Sequence, residues 1–312
     1  MAENASRPLN LIWKRQELES VLESYFIKEI LLAAIPRPIR TIAIEPNSPV
    51  PLFDDSIYFS FNNSFAKLIE EARNRGCRNL GLFHIGDETG VDKRDFYGHA
   101  DYVLRHYWFK EAVALPNERS LGAIWVPNGY RTGVGPLSSA TMLSAGDRTI
   151  MGFFSGVITD RKLSGERQNM VAVTNEAKLP FLVMQTPGFG QGFGPTAYAA
   201  YLSSSRFALV PGGNSPETIR LYDALEAGAI PVMLKSPFVS AVDALNNPPF
   251  LVLDSWRDLP MAYAPYADSG SPQTIARLNA KQREVCDWWV QFKRAQQDKV
   301  AALVERSFAR SG

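Results

Sequence analysis

Short apolar runs alternate along this chain with amphipathic stretches of helical period. "ELESVLESYFIKEILLAAI" (17–35) spaces its apolar residues on one helical face and ends near Pro36. "RTIAIE" (40–45) and "SIYFSF" (56–61) predict strands, and "SFAKLIEEARNRG" (64–76) predicts a helix with Ser64 as N-cap and Gly76 just past its end. "NLGLFHIG" (79–86), "DYVLRHYWF" (101–109) and "LGAIWVPNGY" (121–130) predict further strands. The alternation restarts with the strand "TIMGFFSG" (149–156), the helix "ERQNMVAVTNEAK" (166–178) and the strand "FLVMQT" (181–186). A helix near 195–204, the strand "RFALVP", a helix over 216–227 and the strand "AIPVML" follow. A last long helix spans 271–308.

Strands alternating with helices predict a mostly parallel α/β sheet. The segment 132–147, rich in Gly, Ser, Ala and Thr, reads as a linker between two such halves. The expected architecture is two Rossmann-like domains facing each other across a cleft. Residues 1–140 form the first and 148–270 the second, and a helix over 271–312 packs back across both.

Composition narrows the function. The 312 residues carry a net charge of +1, which gives no general reason to expect nucleic acid or an anionic membrane as partner. The run "IKEILLAAIP" is too short to span a bilayer, and the N-terminus lacks a signal peptide's apolar region. The two cysteines, Cys77 and Cys286, suggest neither a metal site nor a disulfide framework. The expectation is a cytoplasmic chain with no transmembrane segment.

Candidate chemistry gathers in the second half. In "FALVPGGNSPETIRLYDALEAGAIPVML" a strand breaks at Gly212 and Gly213, and a helix follows with Ser215 as N-cap and Pro216 at its first position. Open N–H groups at such a start, around Gly212, Gly213, Asn214 and Ser215, favour an anion, phosphate above all. Glu217, Arg220 and Asp223 step by three along one face, so Arg220 can hold a diphosphate and Asp223 a ribose hydroxyl. A solvated, salt-bridged face fits the same spacing. After "MGFFSG", Gly156 leads into a loop with Arg161, Lys162 and Arg167 that suits a diphosphate, or is simply a solvated cationic loop. "TPGFGQGFGPTAY" (186–198) follows a strand as a dinucleotide fingerprint would, but its glycines alternate as G-x-G-x-G-x-G. A loop near donor or acceptor, presenting Gln191, competes there with a plain turn. In the first half, "HIGDE" sets Asp87 and Glu88 directly after a buried strand that carries His84. Asp87 can also serve simply as a turn former. Three histidines within 84–106 are weak evidence for a metal, and none is expected.

The stretch "YLSSSRFALVPGGNSPETIRLYDALEAGAIPVML" resembles the C-terminal signature of the exostosin-like glycosyltransferases: S-x-F-x-L-x-P-x-G, a Ser-Pro helix start, an Arg, an acidic residue followed by Ala, then G-x-I-P-V. "GLFHIGDE", "DYVLRHYW" and "MQTPGFGQGFGPTAYAAYL" also resemble segments of that family, so the likeness covers roughly 80–260. It departs at the acidic position, usually Glu in the family and here Asp223. The resemblance implies a GT-B fold, a nucleotide-sugar donor in the C-terminal domain, a glycan acceptor and inversion at the anomeric carbon. Such an enzyme needs one general base, for which Asp87, then Glu88, then His84 are the candidates. Arg105 would pair with one of these carboxylates or bind an acidic acceptor. Cationic groups at the donor site would stabilise the departing diphosphate, so no metal or other cofactor is strictly required. The competing expectation is a degenerate member of the fold that binds glycan or nucleotide without turnover.

Overall fold

The computed structural model describes residues 7–45, 48–49, 51–61, 66–113, 121–159, 164–188, 190–241, 245 and 247–311. The chain divides into two compact units: Met1–Asn128 with Lys293–Gly312, and Gly129–Phe292.

The first unit is built on a parallel sheet of six strands: β1 (Leu9–Lys14), β2 (Ile39–Ile44), β3 (Ser56–Phe61), β4 (Leu80–Ile85), β5 (Tyr102–Arg105) and β6 (Ala123–Trp125), in the order β2-β1-β3-β4-β5-β6. All six residues of β4 are buried, as expected of a parallel strand covered on both faces. Strand β1 falls outside the predicted elements because Asn10 and Lys14 interrupt its apolar run, although Leu9, Leu11, Ile12 and Trp13 are all buried. The helix predicted over 17–35 is two pieces. Helix α1 (Arg15–Ser20) stops at Val21, which is extended, and a π-helical turn over Phe26–Leu31 follows. Its wider winding brings residues five apart onto one face, which buries Phe26 and Leu31 together. Helix α2 (Ala66–Asn74) ends before Gly76, whose φ of +83° supplies the left-handed exit; Ser64, expected as its cap, lies outside the described residues. Helix α2 and a 3-10 turn at Asp95–His99 cover one sheet face, where Ile12, Tyr58, Leu82, Tyr97 and Val103 pack in a single core. A short helix α3 (Lys110–Val113) precedes β6.

The second unit holds β7 (Ile150–Gly156), β8 (Phe181–Gln185), β9 (Ser205–Leu209), β10 (Ile230–Leu234) and β11 (Leu251–Leu253), parallel in the order β11-β10-β9-β7-β8. Its helices are α4 (Ser164–Glu176), α5 (Pro195–Ser203), α6 (Ile219–Glu226), α7 (Pro237–Ala241) and α8 (Leu259–Tyr263). The chain leaves β7 toward β8 on one side and returns to β9 on the other. The β7/β9 junction is therefore the switch point at which doubly wound sheets bind ligands. Helix α9 (Pro272–Ser311) is the long C-terminal helix; its residues to Phe292 belong to the second unit and those from Lys293 to the first. In the first unit Glu305 on this helix forms an ion pair with Arg37 (Nη2 to Oε2, 2.7 Å).

The segment read as a linker is part of the second unit, whose boundary falls at Asn128/Gly129. Its small residues serve close packing: the Ala145 and Gly146 amides donate to Gln282 and Asn279 on α9 at 2.6 and 2.7 Å. A Cβ on Gly146 would stand 2.6 Å from Ile275.

Close approach also fixes Gly81. It pairs with Tyr102 across β4 and β5, and the Tyr102 ring occupies the space of a Cβ. Gly81→Ala is expected to cost about 1–3 kcal/mol of unfolding free energy, read by urea titration. An unchanged midpoint would mean that this ring is not held over Gly81.

Candidate functional site

Two groups of polar side chains lie at carboxyl ends of strands, one in each unit. In the first, His84 on β4 and Arg105 on β5 are register partners, so their side chains share a face. Arg105 is completely buried, and each of its donor nitrogens finds an oxygen. Nε donates to the carbonyls of His106 and Tyr107 at 3.1 Å each, Nη1 to the Tyr97 hydroxyl at 3.2 Å, and Nη2 to Asp87 Oδ2 at 3.1 Å. Tyr107 adopts a left-handed conformation (φ +57°), and its hydroxyl donates to Glu88 Oε1 at 3.3 Å.

An arginine can only donate, and this sets the direction of the hydrogen bonds beyond it. The Tyr97 oxygen accepts from Arg105, so its own proton points to His84 Nδ1, 2.6 Å away. Burial pushes the Tyr97 phenol up to about 12, so it keeps that proton. His84 therefore carries its proton on Nε2 and donates to Asp92 Oδ2 at 3.0 Å. Burial first, then the Arg105 charge, hold the His84 imidazole below its ordinary value against the pull of Asp92 and Asp87.

This geometry corrects one expectation and decides between the alternatives of another. Asp87 does not project as an open base: it is 4% exposed, Oδ1 accepts from the Val91 and Asp92 amides (3.0 and 3.3 Å), and Oδ2 is held by Arg105. It closes the loop that follows β4 through Gly86, which takes φ +88°. Arg105 takes the first of its two expected roles, pairing with a carboxylate, and its burial removes it from direct contact with an acceptor. Glu88 stays half-buried beside Tyr107. Single ligand atoms of His84, Asp87 and Asp92 come within 4.8 Å of one another. Protein N–H and O–H donors already occupy the Asp87 oxygens and His84 Nδ1, so the trio suits a hydrogen-bonded network better than a cation. His106 lies apart from it, buried, with Nδ1 3.3 Å from Glu23 Oε1.

In the second unit the polar group sits at the switch point. Gly156 ends β7, and a Cβ there would stand 2.5 Å from Arg220 Nη2. Arg220 donates from Nη2 to the Ser155 carbonyl at 3.0 Å and lies over the Phe154 ring, 4.8 Å from its centroid. Its Nε has no hydrogen-bond partner among the described residues. Helix α6 starts at Ile219, not Pro216, because Thr218 remains extended (φ −129°, ψ 147°). The Ser215 hydroxyl instead accepts from the Glu217 amide at 3.2 Å, in a turn before the helix. Glu217 is thus not on the face of Arg220 and Asp223; it points inward and accepts from Tyr222 at 2.7 Å. Arg220 is the second helical residue. The Gly212 amide is already given to a carboxylate, Glu166 Oε1 at 2.9 Å, which also faces the Trp256 indole N–H at 3.4 Å. Burial pushes the Glu166 carboxyl up. The Gly213 amide donates to the Ser215 carbonyl at 3.0 Å, and Asn214 is half-buried in the same turn. Arg167 is buried and ties Gly212 O and Val157 O at 2.7 and 2.6 Å. Arg161 lies outside the described residues, and Gln191 is exposed in the glycine loop between β8 and α5.

Asp223 receives a task other than ribose binding. It has no exposed surface, and both oxygens accept from Arg131: Oδ1 from the amide at 2.9 Å and Oδ2 from Nε at 2.8 Å. Burial pushes its carboxyl up, and the Arg131 charge and donors pull it back. Arg131 in turn lies over the Tyr198 ring, 4.1 Å from its centroid. Sequence reasoning missed Arg131 because it falls beside the presumed linker. The signal available was Asp223 itself, an acid inside an apolar helix that needs a cation.

Two doubly wound parallel sheets with flanking helices and a long C-terminal helix define a GT-B glycosyltransferase fold. A solved sucrose-phosphate synthase from Thermosynechococcus elongatus is similar at TM-score 0.57 and 13% identity, covering 98% of this chain and all of that one. A solved O-GlcNAc transferase mutant from Thermobaculum terrenum is similar at TM-score 0.48 and 12% identity, covering 99% of this chain and 70% of that one. No curated protein sequence matches the chain significantly. The family model of the Exostosin GT47 domain matches residues 103–259, half of the chain, and the chain belongs to that family. No helix among the described residues is long and apolar enough to cross a membrane.

Two stability tests follow from these groups. The unfolded chain protonates His84 below about pH 6.5 while the folded chain resists, so its contribution is full above that pH and falls as the pH drops toward the folded value. Wild-type Tm should therefore fall more between pH 7 and 5 than that of His84→Gln; parallel curves would contradict the depressed imidazole. Asp223→Asn removes the charge facing Arg131 and should cost roughly 3–5 kcal/mol in urea unfolding, whereas a neutral effect would show that the pair is dispensable.

Proposed function

We propose that the protein transfers a glycosyl group from a nucleotide diphosphate sugar, a UDP-sugar foremost, to a hydroxyl of a glycan acceptor, with inversion at the anomeric carbon. The observation that carries this reading is Arg220. Its guanidinium sits at the β7/β9 switch point, in space left by Gly156, at the positive end of α6, with Nε unpaired among the described residues. A cation so placed suits a diphosphate, whose charge grows as the sugar departs. The acceptor hydroxyl gives its proton to a base and its oxygen attacks the anomeric carbon. The bond from that carbon to the diphosphate oxygen breaks, and the electron pair leaves with the diphosphate. Asp223 serves the site by fixing Arg131 rather than by touching ribose, which accommodates Asp at a position where the family usually carries Glu.

Thermal stabilisation by UDP, GDP, CMP and their sugars identifies the nucleotide, since a ligand at 100 times its Kd adds about 2.7 kcal/mol. Arg220→Ala should then weaken that nucleotide about 10- to 100-fold by calorimetry, the loss of one or two charge-assisted hydrogen bonds. Unchanged affinity would remove Arg220 from the donor site. Turnover of the donor by water separates an enzyme from a protein that only binds.

A further inference from the structure

We propose that Asp92 is the catalytic base of the transfer and that His84 is the residue that positions it. The inference rests on the transfer reading above and deepens it. Asp92 stands at the outer end of the hydrogen-bonded chain Asp87–Arg105–Tyr97–His84–Asp92. Side-chain exposure along that chain is 2% for Asp87, 0% for Arg105 and His84, and 17% for Asp92, so Asp92 is its outlet to an acceptor. The carboxylate is fixed from two sides. Its own backbone amide is tied to Asp87 Oδ1, and its Oδ2 takes the His84 Nε2 proton. Oδ1 accepts from no donor among the described residues, which leaves it to take a proton from an acceptor hydroxyl. The place is the carboxyl end of β4, where the loop leaving a parallel strand can carry functional side chains.

Asp87 and Glu88 fit the task less well. Three donors already fill the Asp87 oxygens, and the Tyr107 hydroxyl takes a Glu88 oxygen. In the proposed step Asp92 Oδ1 accepts the hydroxyl proton as the new C–O bond forms and the diphosphate leaves with its bonding pair. His84 transfers nothing: it keeps its Nε2 proton on Oδ2 and holds the carboxylate's angle.

The test uses the full-length chain and whichever of the UDP-, GDP- or CMP-sugars stabilises the wild type, with nucleotide release to water as the readout. Asp92→Asn should lower kcat 10²–10⁴-fold while nucleotide affinity by calorimetry stays within twofold. Added formate should restore part of the rate to Asp92→Ala. Asp95→Asn, which removes an exposed charge three residues on, should stay within twofold of wild type. His84→Phe should lower kcat with KM unchanged. His84→Gln should recover most of it, because its amide can donate to Asp92 and accept from Tyr97. Near-wild-type turnover in Asp92→Asn, or a comparable loss confined to Glu88→Gln, overturns the assignment. Should Asp92→Asn fail to fold, the His84 pair decides: equal rates in Phe and Gln overturn the positioning role and the base it serves. Wild-type protein that no nucleotide stabilises would instead refute the donor reading, a separate failure.

Discussion

A guanidinium sealed from water organises the first unit. Arg105 is completely buried, and an unpaired charge in an apolar interior costs several kcal/mol. Each of its nitrogens therefore demands an oxygen, and three different segments supply the four that bind it. Asp87 comes from the loop after β4, Tyr97 from the 3-10 turn, and the carbonyls of His106 and Tyr107 from the end of β5 itself. Because guanidinium N–H groups only donate, the demand is directional. It sets which way Tyr97 points, hence which His84 nitrogen holds the proton, and so what Asp92 feels. The left-handed backbone of Tyr107 is the local cost of bringing two consecutive carbonyls onto one nitrogen.

The second unit uses the same device where its loops meet its sheet. Arg148 is buried, and donates to the carbonyls of Leu143, Ser205 and Ala227 at 3.2, 2.8 and 2.9 Å; burial pushes its guanidinium down to about 10. Arg167 binds the carbonyls of Gly212 and Val157 and so ties the two loops at the switch point together. Against these saturated arginines Arg220 stands out. It donates to the Ser155 carbonyl and lies over the Phe154 ring, and among the described residues its Nε has no hydrogen-bond partner.

The alternation of strand and helix was legible because parallel strands are buried on both faces and read as unbroken apolar runs, as in "LGLFHI". The stretch "FALVPGG…IRLYDALEAG" likewise announced a loop–helix junction, and its glycines mark real close approaches, Gly228 against Met142 above all. What failed depends on partners distant in the chain. Nothing local to β1 shows that Asn10 is buried in a strand. Nothing local to the small-residue segment shows that its glycines pack on α9, 133 residues away in the case of Gly146. Asp223 reads as a surface acid until Arg131, 92 residues earlier, is seen on it. Asp92 was passed over because Asp87 lies nearer the strand. The amides of residues 91 and 92 occupy Asp87 and carry the outward role eight residues past His84.

The account depends on the direction of the hydrogen bonds that start at Arg105, and His84 reports that direction. A long-range proton–nitrogen correlation spectrum of the imidazole at pH 7 reads which ring nitrogen is protonated. The account predicts a neutral ring with its proton on Nε2 and a bare Nδ1 accepting from Tyr97. A proton on Nδ1, or on both nitrogens, would contradict it, because His84 could then not be the donor relayed from Arg105 that holds Asp92 in place.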